Sequence, residues 1–221
     1  MTGRPERPPR WGCLLLERLS WYARLQAWIL AKGVERYHGT IEPRRRALLA
    51  QARGLVLEVG AGPGTNVGLF PPGVLYVAME PNVHSHLYLL EAHRRAGVTP
   101  RLLGGAGERL PFRSASCDTV VMTLVLCAVR DPAAVLSEAR RVLKPGGRLL
   151  FLEHVAAPAA SRTRLAQAAA APLWSLLAGG CRPDRDTPSR LAEAGFSRLE
   201  VEPFSVPVPI AGPHVTGFAE R

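Results

Sequence analysis

Three glycines in five residues follow closely on an acidic side chain: Leu55 to Val67 reads LVLEVGAGPGTNV, with Glu58 ahead of Gly60, Gly62 and Gly64. Glycine is required where φ must be positive or where a ligand lies against the backbone. The stretch therefore describes a strand ending in a turn open enough for a nucleoside-sized ligand. A second carboxylate, Glu80, closes the next apolar run 80 − 58 = 22 residues later, followed by Pro81 and Asn82. A carboxylate at that position accepts from both hydroxyls of a ribose. His154 ends a further apolar run, Leu149 to Leu152, and its titration range suits proton uptake near neutrality; Glu153 beside it is a second acid–base candidate. Alternation along a strand sends these two to opposite sides, so they cannot serve one acceptor equally. His214, ahead of the last strand, reads as structural.

Two ligands suit such a crevice, a nicotinamide dinucleotide and S-adenosyl-L-methionine. The dinucleotide fingerprint spaces its glycines G-x-G-x-x-G, whereas Gly60, Gly62 and Gly64 are spaced G-x-G-x-G. The closer spacing, with Glu58 ahead of it, favours the sulfonium cofactor. Glu58 then reads as a partner for that cofactor's ammonium through water.

The elements that must position these residues follow a strand–helix rhythm. A basic helix, Pro43 to Ala52, leads into the strand at 55–59, and a helix after Gly64 is expected to run to about Phe70, where Pro71-Pro72-Gly73 stops it. Strands are expected at Val74–Met79, Arg101–Leu103, Thr119–Leu126 and Arg148–Leu152. Helices are expected at His84–Ala96 and Pro132–Val142, with Lys144-Pro145-Gly146-Gly147 as a turn. This alternation predicts an α/β fold, a doubly wound Rossmann-like sheet of seven strands, mostly parallel with an antiparallel last strand. Arg185-Asp186-Thr187-Pro188 starts a helix with Thr187 as N-cap. Trp174 and the alanine-rich 165–173 segment cover the acceptor side.

At 221 residues and 47% hydrophobic content the chain can bury one full core. The expected organisation is a basic tail and amphipathic helix over residues 1–40 and a catalytic domain over 41–221. Residues 1–53 carry eleven basic side chains against four glutamates, 11 − 4 = +7 of the total +10. Because 26 of the 28 basic residues are arginine and no nucleic-acid motif accompanies them, the charge reads as a usage bias and no nucleic-acid partner is expected. Glu17, Arg18 and Arg24 interrupt the apolar positions of 11–37 and exclude a membrane span. What remains is an amphipathic helix, either a lid over the cofactor or a peripheral membrane contact on a cytoplasmic protein. Cys13, Cys117, Cys127 and Cys181 show no CxxC spacing and no histidine pairing, so they read as reduced thiols, and no metal site is expected.

The set LEVGAGPG, MEP, GAGERLPF, CDTVVMTLVL and VLKPGGRLLFLEH, in that order over about residues 52–155, resembles the five consecutive motifs of the class I S-adenosylmethionine-dependent methyltransferases. The resemblance implies that Glu58, Gly60, Ala61, Gly62 and Gly64 line the methionine end and that Glu80 holds the ribose with Pro81 and Asn82 beside it. It implies that Ala106, Gly107 and Glu108 lie along the adenine and that Thr123, Leu124 and Val125 lie beneath the cofactor. Ala106 stands where many members carry an aspartate for the adenine amine. Further on, LVLCAV, EHVAA at 153–157, Pro172 with Trp174, Gly180-Cys181, Arg185-Asp186-Thr187 and PHVTGFA at 213–219 are similar to the methyltransferase-like alkyl-thiol S-methyltransferases. That implies methyl transfer to a small apolar thiol. Two alternatives stay open: N- or C-methylation of a lipid or quinone precursor, and a catalytically silent cofactor-binding module.

Overall fold

The computed structural model describes residues 21–33 and 35–221. The basic tail 1–10, Cys13 and residues 11–20 of the amphipathic segment lie outside the described residues.

The strands are β1 (Leu55–Val59), β2 (Leu75–Met79), β3 (Leu102–Leu103), β4 (Cys117–Thr123), β5 (Leu143–His154), β6 (Arg198–Ser205) and β7 (Pro213–Glu220). They form one sheet in the order β3-β2-β1-β4-β5-β7-β6. Pairing is parallel from β3 through β5, and β7 runs antiparallel to both β5 and β6. The helices are α1 (helical residues 21–28, continued by a π turn, Ile29–Gly33), α2 (Glu35–Leu49), α3 (His86–Ala96), α4 (Pro132–Val142), α5 (Arg162–Leu177) and α6 (Thr187–Glu193). This is the expected Rossmann-like architecture. The strand order reverses between β1 and β4, so the crevice for a ligand opens at the carboxyl ends of those two strands.

Period-two alternation in the central strands builds a core on each face of the sheet. Val120, Met122, Leu149 and Phe151 join the cluster with α4, while Val121, Leu150 and Leu152 join the opposite cluster with Ile41, Leu48 and Leu49 of α2 and Leu89 of α3. Both faces are therefore covered, which is why β4 and the end of β5 read as nearly unbroken apolar runs.

Five local expectations are corrected. No helix follows Gly64: residues 62–68 form successive turns, because Gly62, Gly64 and Gly68 all hold positive φ, which an α-helix cannot accommodate. Strand β4 ends at Thr123 rather than Leu126, since Leu124 turns to a φ of 60°. The Lys144–Gly147 segment lies inside β5 as a bulge, where pairing jumps from Cys117↔Leu143 to Thr119↔Arg148. Asp186, not Thr187, caps α6, its carboxylate accepting from the Ser189 N–H. The basic helix also begins earlier than Pro43, at Glu35, and runs unbroken across residues 40 and 41 with Pro43 inside it.

At the middle of β1 the Glu58 side chain points into the core, accepting from Asn66 Nδ2 at 2.7 Å and from the Tyr76 hydroxyl. Burial pushes its carboxyl up to about 7, against the two hydrogen bonds and the Arg45 charge, which favour the ionised form. The unfolded chain releases this proton near 4.5, so the folded state holds more protons between the two values and stability falls as pH rises through that window. We expect Glu58→Gln to flatten the decline between pH 5 and 7 by up to about 1.4 kcal/mol per pH unit, measured by urea unfolding at several pH values. An unaltered slope would show that Glu58 is ionised throughout.

Candidate active site

The crevice at the ends of β1, β2 and β4 is a cavity of about 650 Å³. Gly60, Gly62, Glu80, Pro81, Ala106, Gly107, Glu108, Leu124 and Val125, all expected from sequence, line it. Glu80 is almost fully buried, with one oxygen accepting from the Gly62 N–H and the other from the Asn82 N–H, each at 2.8 Å. Burial raises its carboxyl above the usual range, against those two donors. A carboxylate held rigidly by backbone at the wall of this cleft has lone pairs left for a vicinal diol. Gly60 is needed for space as well as for its φ of 68°, since a Cβ there would meet the Val125 side chain at 2.8 Å. Gly107 is wedged between Val59 and Val135.

Other expected residues stand behind the cleft. Glu58 is engaged in the core, one oxygen accepting from Asn66 and the other from Tyr76, and it stands behind the lining of the cleft. Gly64 packs on α3, where a Cβ would meet Ala92 at 2.8 Å. Ala61 is buried, its N–H donating to the Met79 carbonyl. Thr123 accepts from Asn66 Nδ2. Asn82 turns outward and donates to the Ala23 carbonyl of α1 at 2.9 Å. That bond, with a Tyr22 hydroxyl to Leu176 carbonyl bond between α1 and α5 and Leu30 on the cavity wall, places the N-terminal helix along the cleft.

A second cavity of about 230 Å³ adjoins the first, and the two share Leu30, Leu124, Ala128 and Gly179. Its remaining walls are Tyr37, His38, Cys127, His154, Trp174, Ala178, Cys181, Val208 and Ala211. The alanine-rich helix and Trp174 cover this side as expected, anchored by the buried Gln167, which accepts from the Ala157 N–H and donates to the Val155 and Ile210 carbonyls. His154 lies in this wall with Nε2 2.8 Å from the Cys181 sulfur. Cys181 is drawn below the ordinary thiol range, first by a hydrogen bond from Cys127 and then by the His154 ring, against its burial. Cys127 is correspondingly raised, by that same hydrogen bond and by burial. The His154 ring is raised despite burial, held up by Cys181.

Glu153 does not share the cavity. Its carboxylate is fully buried and accepts from the N–H groups of Val125 and Leu126 at 2.9 Å and of Cys127 at 3.2 Å. It is therefore a positioning residue, and its expected place beside the acceptor is corrected: strand alternation turns it toward the backbone beneath Leu124. His214 is likewise structural. Its Nδ1 donates to the Gly212 carbonyl at 2.8 Å, so Nε2 accepts from the Tyr37 hydroxyl at 2.7 Å. Burial lowers its pKa to about 4.

Sequence spacing missed Leu30, Ala128 and Gly179, and it missed the meeting of Cys127, His154 and Cys181, whose ligand atoms all lie within 4.8 Å of one another. The chain separation of 27 residues between His154 and Cys181 leaves no local pattern to detect. The sequence shows no histidine pairing pattern for these thiols, and the fold brings Cys127 and Cys181 beside His154.

The doubly wound sheet, the glycine turn and the buried Glu80 carboxylate at the cleft match the architecture of the S-adenosylmethionine-dependent methyltransferases. A family model for the methyltransferase domain matches residues 57–151. Across 210 residues the chain is 35% identical to thiol S-methyltransferase TMT1B of Rattus norvegicus, covering 88% of this chain and 85% of that protein. With thiol S-methyltransferase TMT1A of Homo sapiens it shares 36% identity over 171 residues, 75% and 70% of the two chains. The chain belongs to this thiol S-methyltransferase family. Solved structures share the fold: a methyltransferase from Thermotoga maritima, with TM-score 0.56 and 23% identity, covering 87% of this chain and 100% of that one, and one from Aquifex aeolicus, with TM-score 0.57 and 16% identity, covering 80% and 88%.

Glu80→Ala removes the charged acceptor and leaves the Gly62 and Asn82 donors facing the cleft. We expect cofactor affinity to fall by about 1–3 kcal/mol in titration calorimetry; unchanged affinity would remove Glu80 from the ribose.

Proposed function

We propose that the protein transfers the methyl group of S-adenosylmethionine to the sulfur of a small apolar thiol held in the second cavity. The observation that carries this is the continuity of the two cavities at Leu124 and Ala128, with an apolar acceptor space whose polar end is His154 and Cys181. The names of the relatives support the same acceptor class. Among the described lining residues there is no carboxylate and most of the wall is apolar, so a neutral thiol enters at little desolvation cost. His38 and His214, held near 4 by burial, add no charge.

The cofactor brings a methyl group already activated on a sulfonium, so what remains for the chain is to align, desolvate and ionise the acceptor. Glu80 and the glycine turn hold the donor end. Leu124 and Ala128 line both the donor and the acceptor space where the two meet. His154, at the far end, favours the thiolate, the nucleophilic form. Glu153 acts one step behind by fixing the backbone that carries Leu124 and Cys127. Incubation with radiolabelled cofactor and a panel of alkyl thiols, lipid amines and quinone precursors should label the thiols. Labelling of lipid or quinone alone would favour the N- or C-methylation alternative, and cofactor binding with no labelled product would favour the silent module.

For residues 11–37 we propose contact with an anionic membrane surface in addition to the lid role. The support is an exposed apolar face: Trp21, Leu25 and Trp28 on α1, beside Leu173, Leu176 and Leu177 on α5. No helix among the described residues is long and apolar enough to cross a membrane, so such contact would be interfacial. The protein should sediment with vesicles containing phosphatidylserine, and a Trp21→Ser, Leu25→Ser, Trp28→Ser variant should remain in the supernatant. Wild type that stays in the supernatant would overturn the contact.

A further inference from the structure

We infer that Cys127, His154 and Cys181 form a three-ligand site for a zinc-like soft metal ion, whose open fourth position faces the acceptor cavity and takes the acceptor sulfur. The role of the ion rests on the thiol reading above, whereas the site itself rests on geometry.

Two thiols and an imidazole are the ligand types that a soft or borderline divalent ion selects. Two cysteines, one histidine and a position left for substrate make up a recognised catalytic zinc arrangement. Zinc–sulfur bonds of about 2.3 Å and zinc–nitrogen bonds of about 2.0 Å at tetrahedral angles place ligand atoms roughly 3.5–3.8 Å apart. The three ligand atoms here lie within 4.8 Å of one another. The His154 Nε2 to Cys181 Sγ separation of 2.8 Å must widen by about 0.7 Å to admit the ion. Cys181 follows two glycines of positive φ, Gly179 and Gly180, on the turn that closes the cavity.

His154 is almost fully buried, lines the cavity and turns Nε2 toward Cys181, so Nε2 is its ligand atom; Nδ1, buried without a partner, is on the other side of the ring and takes no part in holding the ion. Among the described lining residues no carboxylate competes for the ion. This is the environment of a thiolate site and not of a calcium or magnesium site.

The ion would hold the acceptor as its thiolate, because a thiol that coordinates zinc is deprotonated outright. As the acceptor sulfur coordinates, its S–H bond breaks and the proton passes to bulk water. A sulfur lone pair then forms the new S–C bond to the methyl group, while the C–S bond of the sulfonium breaks and its electron pair stays on the cofactor sulfur. The neutral thioether that results is a weak ligand and leaves. The net change is one thiol and one sulfonium converted to two thioethers and one proton.

The test uses the full-length chain. After incubation with zinc and exhaustive dialysis, elemental analysis should find one zinc per chain. Reconstitution with cobalt(II) should give thiolate-to-cobalt charge-transfer absorbance. Cys127→Ser and Cys181→Ser should each lose the zinc and the absorbance while still binding cofactor in calorimetry, which shows that they are folded. A wild-type chain without zinc or charge-transfer absorbance, or serine variants that keep both, would overturn the site. If zinc is retained but no thiol is methylated, the site stands and the thiol reading fails. If the metal-stripped chain methylates thiols at the full rate, the role assigned to the ion fails.

Discussion

Beneath the junction of the two cavities, one buried carboxylate collects three consecutive backbone N–H groups. Glu153, at the end of β5, accepts from Val125, Leu126 and Cys127, and it thereby decides how the chain leaves β4. Without an acceptor, those buried donors would each cost on the order of 1–3 kcal/mol. With it, the backbone bends sharply enough that Leu124 takes a φ of 60°, a left-handed conformation that a leucine adopts only when its surroundings over-determine it. That bend places Leu124 between donor and acceptor, Val125 under the cofactor cleft and Cys127 in the acceptor wall.

Around this junction the two substrates are held by different kinds of structure. The donor side is made by the parallel half of the sheet, from strand ends and the turns that leave them, and its polar groups are tied by short-range backbone bonds such as Glu80 to Gly62 and Asn82. The acceptor side is assembled from segments far apart in the chain. Gln167 ties α5 to the end of β5 and to the loop before β7. Arg185 donates to the Leu126 and Val129 carbonyls at 2.5 and 2.7 Å, fastening the segment after Cys181 to the one after β4. Helix α1 lines both spaces through Leu30. The donor cleft is thus built by the parallel half of the sheet, and the acceptor enclosure by contacts between segments distant in the chain.

Electrostatically the acceptor space is quiet except at one end. Burial keeps His38 and His214 neutral and raises the Tyr37 hydroxyl, so the walls carry polar atoms without net charge. The exception is the group of Cys127, His154 and Cys181, where a lowered thiol and a raised imidazole stabilise each other. Charge is concentrated at the point where an acceptor sulfur would need it, and is withheld elsewhere, which favours neutral acceptors over cationic ones.

The donor half was legible from the residues alone because its signals are local. Strand β1 and helix α4 have the expected bounds, and Gly60, Gly62, Glu80, Ala106, Gly107, Glu108, Leu124 and Val125 line the cleft as the motif order implied. A glycine turn and an apolar run each act within a few residues, so spacing is enough to reveal them. Local pattern failed where several positive-φ glycines replaced the helix expected after Gly64, and where a bulge absorbed Lys144 to Gly147 into β5. It could not separate Glu58 and Gly64, which brace the cleft from behind, from the residues that line it. Nor could it show Glu153 turned to the backbone, or Cys127, His154 and Cys181 facing one another. Those depend on side-chain direction and on contacts between segments tens of residues apart, and such contacts exist only once the sheet has closed and the helices have packed against it.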